Sequence, residues 1–312
     1  MLFVRWMRGK RFFPAVLAAI LAAAPAVRAG DDAPQLFDFL RYQVADQKQF
    51  LEMTFRGDAL WGWAGMTAAT GALIFTDDRS YRGTRRVGDR LGIPHTSQQK
   101  TFAKIDVPFT KYKWKLGGPY DLGTDLYFLG DGITHAAIAA SFLTYGLAED
   151  DDRALRTSSQ LAEAIISNGI AVQVLKHVTG RENPDTETVR NGRWRFFPNQ
   201  RDYARHVNEY DAFPSGHLST AMVTVTVIAE NYPDNHWVWP AGSVLMTALS
   251  FQMVNNGVHW WSDYPLALYM GWAFGKIAAG RGPATGRTAW NAGPAVVDGA
   301  PGLTFRRRFG GA

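Results

Sequence analysis

The sequence predicts an all-α protein, a helical bundle of about six core helices. Uncharged, mostly apolar or small-residue segments recur at 59–76, 132–148, 164–175, 217–229, 237–258 and 264–275. Few of them alternate as a half-buried strand does, and most are rich in Ala, Leu, Met and Gly, which favours helices. Their flanks carry helix punctuation: Asp150, Asp151 and Asp152 suit the start of a helix running towards Lys176, and Gly180 is a natural stop just beyond it.

Taken in chain order, the first element is a leader. Residues 1–29 have a basic start, an apolar run from 12 to 24, and the small residues of Val27-Arg28-Ala29, a pattern that suits cleavage after Ala29 and export, in a bacterium to the periplasm. The apolar run is shorter than the roughly 20 residues of a spanning helix. The leader also explains the pI of about 9.4. It holds five basic residues and no acid, leaving 28 basic against 28 acidic residues in the remainder, so the charge is no sign of a nucleic-acid partner. The absence of cysteine excludes a disulfide scaffold, thiolate catalysis and Cys-ligated metals.

Residues 30–129 read as an N-terminal helical and connecting region, in which 77–122 shows no clear helical period and is rich in Gly, Lys and Arg. Residues 130–280 form the expected core. Within it 181–212 carries Pro184, Asn191-Gly192 and Pro198, and reads as a long loop joining Lys176 to the next helix. Loops of that length inside a compact domain are often functional. A Gly/Pro-rich tail follows at 281–312, where 295–297 and 303–307 are candidates for a small hairpin across a turn at 298–302. Three of the six segments, 59–76, 132–148 and 237–258, run 17 residues or more without a charge, at the border of membrane-spanning length. The mean hydropathy of −0.16 favours a soluble or surface-associated bundle over an embedded one.

Three motifs carry chemistry. In Phe213-Pro214-Ser215-Gly216-His217, Ser215 is a good N-cap, Gly216 lets an anion approach the backbone, and the helix start supplies N–H groups and a favourable dipole. His217 stands where it can protonate a leaving oxygen. In Gly257-Val258-His259-Trp260-Trp261-Ser262-Asp263, Pro265 suits a first helical turn, so His259 falls in the turn before a helix that Ser262 or Asp263 opens. A carboxylate at Asp263 can hold one imidazole nitrogen and leave the other free to attack. Upstream, Lys176 near a helix end and Arg181 just past it are placed to neutralise the oxygens of a transferring phosphoryl group. Taken singly, these motifs are equally a capped helix, a structural His–Asp pair and two solvated cations. His135 reads as a structural residue with Asp131 as its partner. His177, His206 and His236 read as incidental, and Trp237, Trp239, Trp260 and Trp261 as core residues or an aromatic boundary with lipid.

In this order, the motifs resemble those of the type 2 phosphatidic acid phosphatase (PAP2) superfamily, which also includes vanadium-dependent haloperoxidases: Lys-x6-Arg-Pro, Pro-Ser-Gly-His, and Ser-Arg-x5-His-x3-Asp. The second is complete at 214–217, the third keeps His259 and Asp263, and the first keeps Lys176 and Pro184. Asn183 stands at the arginine of the first motif, and Gln252-Met253 at the Ser-Arg of the third. The resemblance implies His259 as nucleophile, Asp263 as its orienting carboxylate and His217 as acid. It gives Lys176, Ser215 and the Gly216 N–H as phosphate ligands, with no metal or cofactor. Arg181 is the nearest substitute for the missing guanidinium groups, and Arg190, Arg193, Arg195, Arg201 and Arg205 follow in the same loop, with Asn255 and Asn256 as neutral donors. The expected partner is a phosphate-bearing small molecule or a lipid at a membrane surface, and the expected activity is that of an exported phosphatase. A weakened homologue that binds phosphate or serves the envelope is the second reading, and a haloperoxidase the third.

Overall fold

The computed structural model describes residues 38–96, 100–106, 113–281, 290–297 and 300–307; the expected leader at 1–29 lies outside them. The protein is all-α. Its helices in chain order are α1 (Asp38–Arg41), α2 (Gln43–Thr54), α3 (Leu60–Leu91), α4 (Leu122–Phe128), α5 (Gly132–Glu149), α6 (Asp152–Thr179), α7 (Gln200–Arg205), α8 (Gly216–Asn231), α9 (Val238–Asn255) and α10 (Tyr264–Ala279). The six apolar segments map onto α3, α5, α6, α8, α9 and α10. Two antiparallel hairpins accompany them: β1 (Lys100–Asp106) with β2 (Lys113–Gly118), and β3 (Trp290–Val297) with β4 (Ala300–Arg307).

Local chemistry sets the boundaries of the long helices. Asp151 caps α6 by accepting from the Ala154 N–H at 3.0 Å. Gly180 ends it in a left-handed conformation (φ 51°), and a side chain there would run into the Arg195 carbonyl oxygen, 2.3 Å from an added Cβ. Across the core, α8 packs against α10 and both rest on α6. Leu161, Val172, Val223, Val227, Met270 and Phe274 fill one apolar cluster, and Leu218, Leu249, Met253, Trp260 and Ala267 fill the other. Gly271 allows the close approach: a Cβ there would lie 2.2 Å from the Ser219 carbonyl oxygen.

The structure corrects the reading of 77–122. Asp77 to Leu91 continue α3 to 32 residues, and the hairpin β1–β2 follows. The helical period exists here, but it is polar: the buried residues of α3 are the adjacent Asp77 and Asp78, then Tyr81, Thr84 and Gly88 at steps of three or four. An apolar search passes over such a stripe. The tail hairpin pairs Val297 with Ala300 and Ala295 with Gly302, so its strands are longer, and the span between them shorter, than the sequence suggested.

Among the described residues no single helix is long and apolar enough to cross a membrane; α4 and α5, bent by 58° at the break between them, pass that test only as a pair. His135 on α5 is buried and pairs through Nδ1 with the Thr224 hydroxyl of α8 at 2.8 Å. The Asp131 carboxylate instead caps α5, accepting from the Ile133 N–H at 2.8 Å.

Two stability measurements follow from this packing. Gly271→Ala is expected to force α8 and α10 apart and to cost about 1–3 kcal/mol in denaturant unfolding. Burial lowers the His135 pKa to about 4, so below the ordinary value of about 6.5 the unfolded chain binds a proton that the folded chain refuses. Its contribution is therefore full above about pH 6.5 and is lost as pH falls towards 4, a change on the order of 3 kcal/mol. Compared with wild type in unfolding titrations between these pH values, His135→Gln should show a flatter dependence.

Candidate active site

The start of α8 is built as a cap. The Ser215 hydroxyl oxygen accepts from the Leu218 N–H at 3.4 Å, and the Ser215 N–H donates to the Asp263 carbonyl at 3.3 Å, which joins this turn to the third motif. Among the described residues Gly216 has only Val172 within reach of an added Cβ, at 3.6 Å, so neither their packing nor the backbone conformation demands glycine there. Gly216 and His217 are half-buried and meet solvent, while Ser215 beneath them is fully buried.

His259 lies below this patch, 1% exposed, with its ring centroid 6.0 Å from that of His217. Its Nδ1 is 2.8 Å from the Ala212 carbonyl oxygen. A carbonyl only accepts, so Nδ1 carries the proton and the lone pair stays on Nε2, which is buried and has no partner among the described residues. The sequence had assigned the orienting bond to Asp263. That carboxylate is close, with Oδ2 3.5 Å from Nδ1, but Oδ2 accepts from the Trp260 N–H at 2.7 Å. Asp263 therefore supplies negative charge beside the ring, and the Ala212 carbonyl fixes the tautomer.

Arg181 is placed differently from the phosphate-facing cation expected of it. Its side chain is completely buried, and its terminal N–H groups donate to the Ser262 hydroxyl (2.6 Å), Asp263 Oδ1 (2.5 Å), Asp77 Oδ2 (2.7 Å) and the Asn191 carbonyl (3.1 Å). The guanidinium also sits 4.8 Å from the Trp194 ring centre and 5.4 Å from that of Trp260. The four terminal N–H donors are thus engaged, and Nε–H, also buried, has no partner among the described residues. The sequence missed this because spacing places Arg181 beside the motif but says nothing about which way it turns.

Lys176 is buried near the end of α6, and its Nζ pairs with Asp211 Oδ2 at 3.2 Å. His217 Nε2 is 3.0 Å from the Tyr127 hydroxyl. Burial, then the neighbouring His259 and Lys176, hold the His217 imidazole well below the usual histidine range. Burial and the nearby Asp131 and Asp211 push the Tyr127 phenol up to about 12, so it stays neutral and able to donate. The other loop arginines whose partners are resolved are engaged elsewhere, Arg195 with Glu182 at 2.6 Å and Arg190 with Asp78 at 3.2 Å. Met253 is fully buried in an apolar cluster, Gln252 donates to the Pro94 carbonyl at 3.0 Å, and the Asn255 amide turns to Gln252 and to the carbonyls of Ile93 and Pro94. Asn183 is also buried.

Asp77, Tyr127 and Asp211 are the site residues that the sequence did not reveal. Two adjacent acids closing an uncharged helical run were the available signal for Asp77. Asp121 and Thr124 form a reciprocal cap at the start of α4, which marks the helix but not the role of Tyr127 within it. The aromatic group divides: Trp260 is fully buried, whereas Trp237 is 77% exposed.

Comparison with curated proteins and with solved structures gave no match. Residues 158–282 match the family described as the PAP2 superfamily, a span that runs from within α6 to just past α10 and contains Lys176, Ser215, Gly216, His217, His259 and Asp263. Over this segment the chain is similar to the PAP2 superfamily, a likeness that suggests a phosphatase-type activity.

Proposed function

We propose that the chain is an exported phosphatase that hydrolyses a phosphomonoester or diphosphate through a phosphohistidine on His259, without a metal. The observation that supports this most strongly is the buried, unpartnered Nε2 of His259, left with its lone pair by the Nδ1–Ala212 bond and lying close to a capped helix start. In this reading Nε2 attacks phosphorus while Lys176, Ser215 and the Gly216 N–H hold the phosphoryl oxygens. The bond to the leaving oxygen breaks as protonated His217 gives that oxygen its proton. Neutral His217 then takes a proton from water as the water oxygen attacks phosphorus, the P–N bond breaks, and phosphate leaves with Nε2 restored. Asp263 offsets the positive charge on the imidazole.

A lipid phosphate is the favoured source of the phosphoryl group, because residues 60–76 of α3 carry no charge and are largely exposed, with Trp61 and Phe75 at 87% and 81%. The proposed location is the bacterial periplasm, at the membrane surface. A second reading, a weakened homologue that binds phosphate with little turnover, draws support from Lys176 being paired with Asp211 and from buried Asn183 and Met253 at the motif-arginine positions.

Phosphate release in chelator, from lipid phosphate in mixed micelles and from soluble esters, tests both readings. Turnover is expected, greater on lipid, and lowered at least about a thousand-fold by His259→Ala. Binding of phosphate with no turnover on any substrate supports the second reading instead. Because His217 must be protonated to act as the acid and its pKa is depressed, kcat/KM should be higher below about pH 6.5 than above it. Gly216→Ala should fold with wild-type stability and raise KM about tenfold, since a methyl group at the helix start obstructs only the incoming phosphate. An unchanged KM removes Gly216 from the cradle.

A further inference from the structure

We propose that Asp77, on α3 and outside the family-matched segment, is a positioning residue for His259: it shares the Arg181 charge so that Asp263 keeps its negative charge for the imidazole. The inference rests on the proposed role of His259 as nucleophile.

The geometry is a closed ring of side chains. Arg181 bridges Asp77 Oδ2 (2.7 Å) and Asp263 Oδ1 (2.5 Å). Ser262 lies between them, its hydroxyl accepting from Arg181 at 2.6 Å and donating to Asp77 Oδ2, while its N–H donates to Asp77 Oδ1 at 3.2 Å. Asp77, Arg181 and Asp263 are each wholly buried, so their charges are poorly screened by solvent. One guanidinium serves two carboxylates. With Asp263 as its sole acid, Arg181 would form a neutral pair and Asp263 would offer little to a ring 3.5 Å away. With Asp77 present the group carries one net negative charge, which favours the positive charge that develops on His259 as Nε2 attacks.

The groups facing this cluster leave that balance in place. Tyr264 at the start of α10 is a neutral phenol, its pKa pushed well above 10 by burial and by Asp263 and Asp77. Trp194 and Trp260 present ring faces to the guanidinium. The His217 ring of α8 is centred 6.0 Å from that of His259, and Lys176 of α6 is already paired with Asp211 at 3.2 Å. Burial raises the Asp77 pKa, while Arg181 and the Ser262 hydroxyl pull it down and favour the carboxylate.

The test is the pKa of His259, read by NMR of labelled histidine in the folded full chain, with kcat measured across the same pH range. Removing a nearby negative charge disfavours the imidazolium. Asp77→Asn should therefore lower the His259 pKa by about one unit and move the acidic limb of kcat to lower pH by the same amount. It should also reduce kcat about ten- to a hundred-fold with KM within about threefold. Ser262→Ala, a gentler break in the same ring, should shift both in the same direction by less and serves if Asp77→Asn fails to fold. A folded variant with an unshifted His259 pKa overturns the proposal and leaves Asp77 a structural ion-pair partner. If wild type hydrolyses nothing, the phosphatase reading fails, yet the NMR titration still decides whether Asp77 tunes His259.

Discussion

The buried Arg181 guanidinium is the constraint on which the rest of the site depends. A charge withdrawn from water is tolerated only when its donors are answered, and here two carboxylates, a hydroxyl and a backbone carbonyl answer the terminal nitrogens. Those partners come from α3, from the loop after α6 and from the turn before α10. Satisfying one side chain therefore fixes three distant parts of the chain against one another, and the turn it fixes is the one that carries His259. The backbone of the same residue extends the bracing: the Arg181 carbonyl accepts from the Ala212 N–H at 3.0 Å, and the Ala212 carbonyl in turn holds His259.

The loop between Gly180 and Phe213 shows how a segment without helical pattern becomes rigid. Arg181 bridges to both Trp194 and Asp211, and the Phe197 and Arg195 N–H groups return to Val178 and Gly180. Glu182 is buried, which alone would raise its pKa. Hydrogen bonds from Thr188, the Arg193 N–H and Arg195 outweigh that and hold it below the usual carboxylate range. It acts as a hub for backbone that has no ladder of its own.

Much of this was legible in the sequence where a local signal exists. Uncharged runs gave the six helices, Asp151 and Gly180 bounded α6, and Ser215 announced the start of α8. What escaped has a common cause. The second half of α3 buries acids, a tyrosine and a threonine in place of aliphatic residues, so its period carries no hydrophobic contrast. Arg181 and Asp77 are 104 residues apart and meet only in the folded chain, so neither spacing nor composition could pair them. The same holds for Tyr127 on His217 and Asp211 on Lys176. A motif places a residue in a neighbourhood, and the direction of its side chain is settled by partners elsewhere.

The ion pair between Lys176 and Asp211 bears on how a ligand enters. On the proposed chemistry, an anion reaching Lys176 meets a cation already neutralised by a tethered carboxylate, so binding is an exchange of counter-ions and not a simple addition. The affinity then measures phosphate against Asp211, and water against neither. In the proposed cycle the same tether would favour turnover, because the returning carboxylate competes with the departing phosphate. On that proposed chemistry, a site with few cations would give up tight holding for ready release.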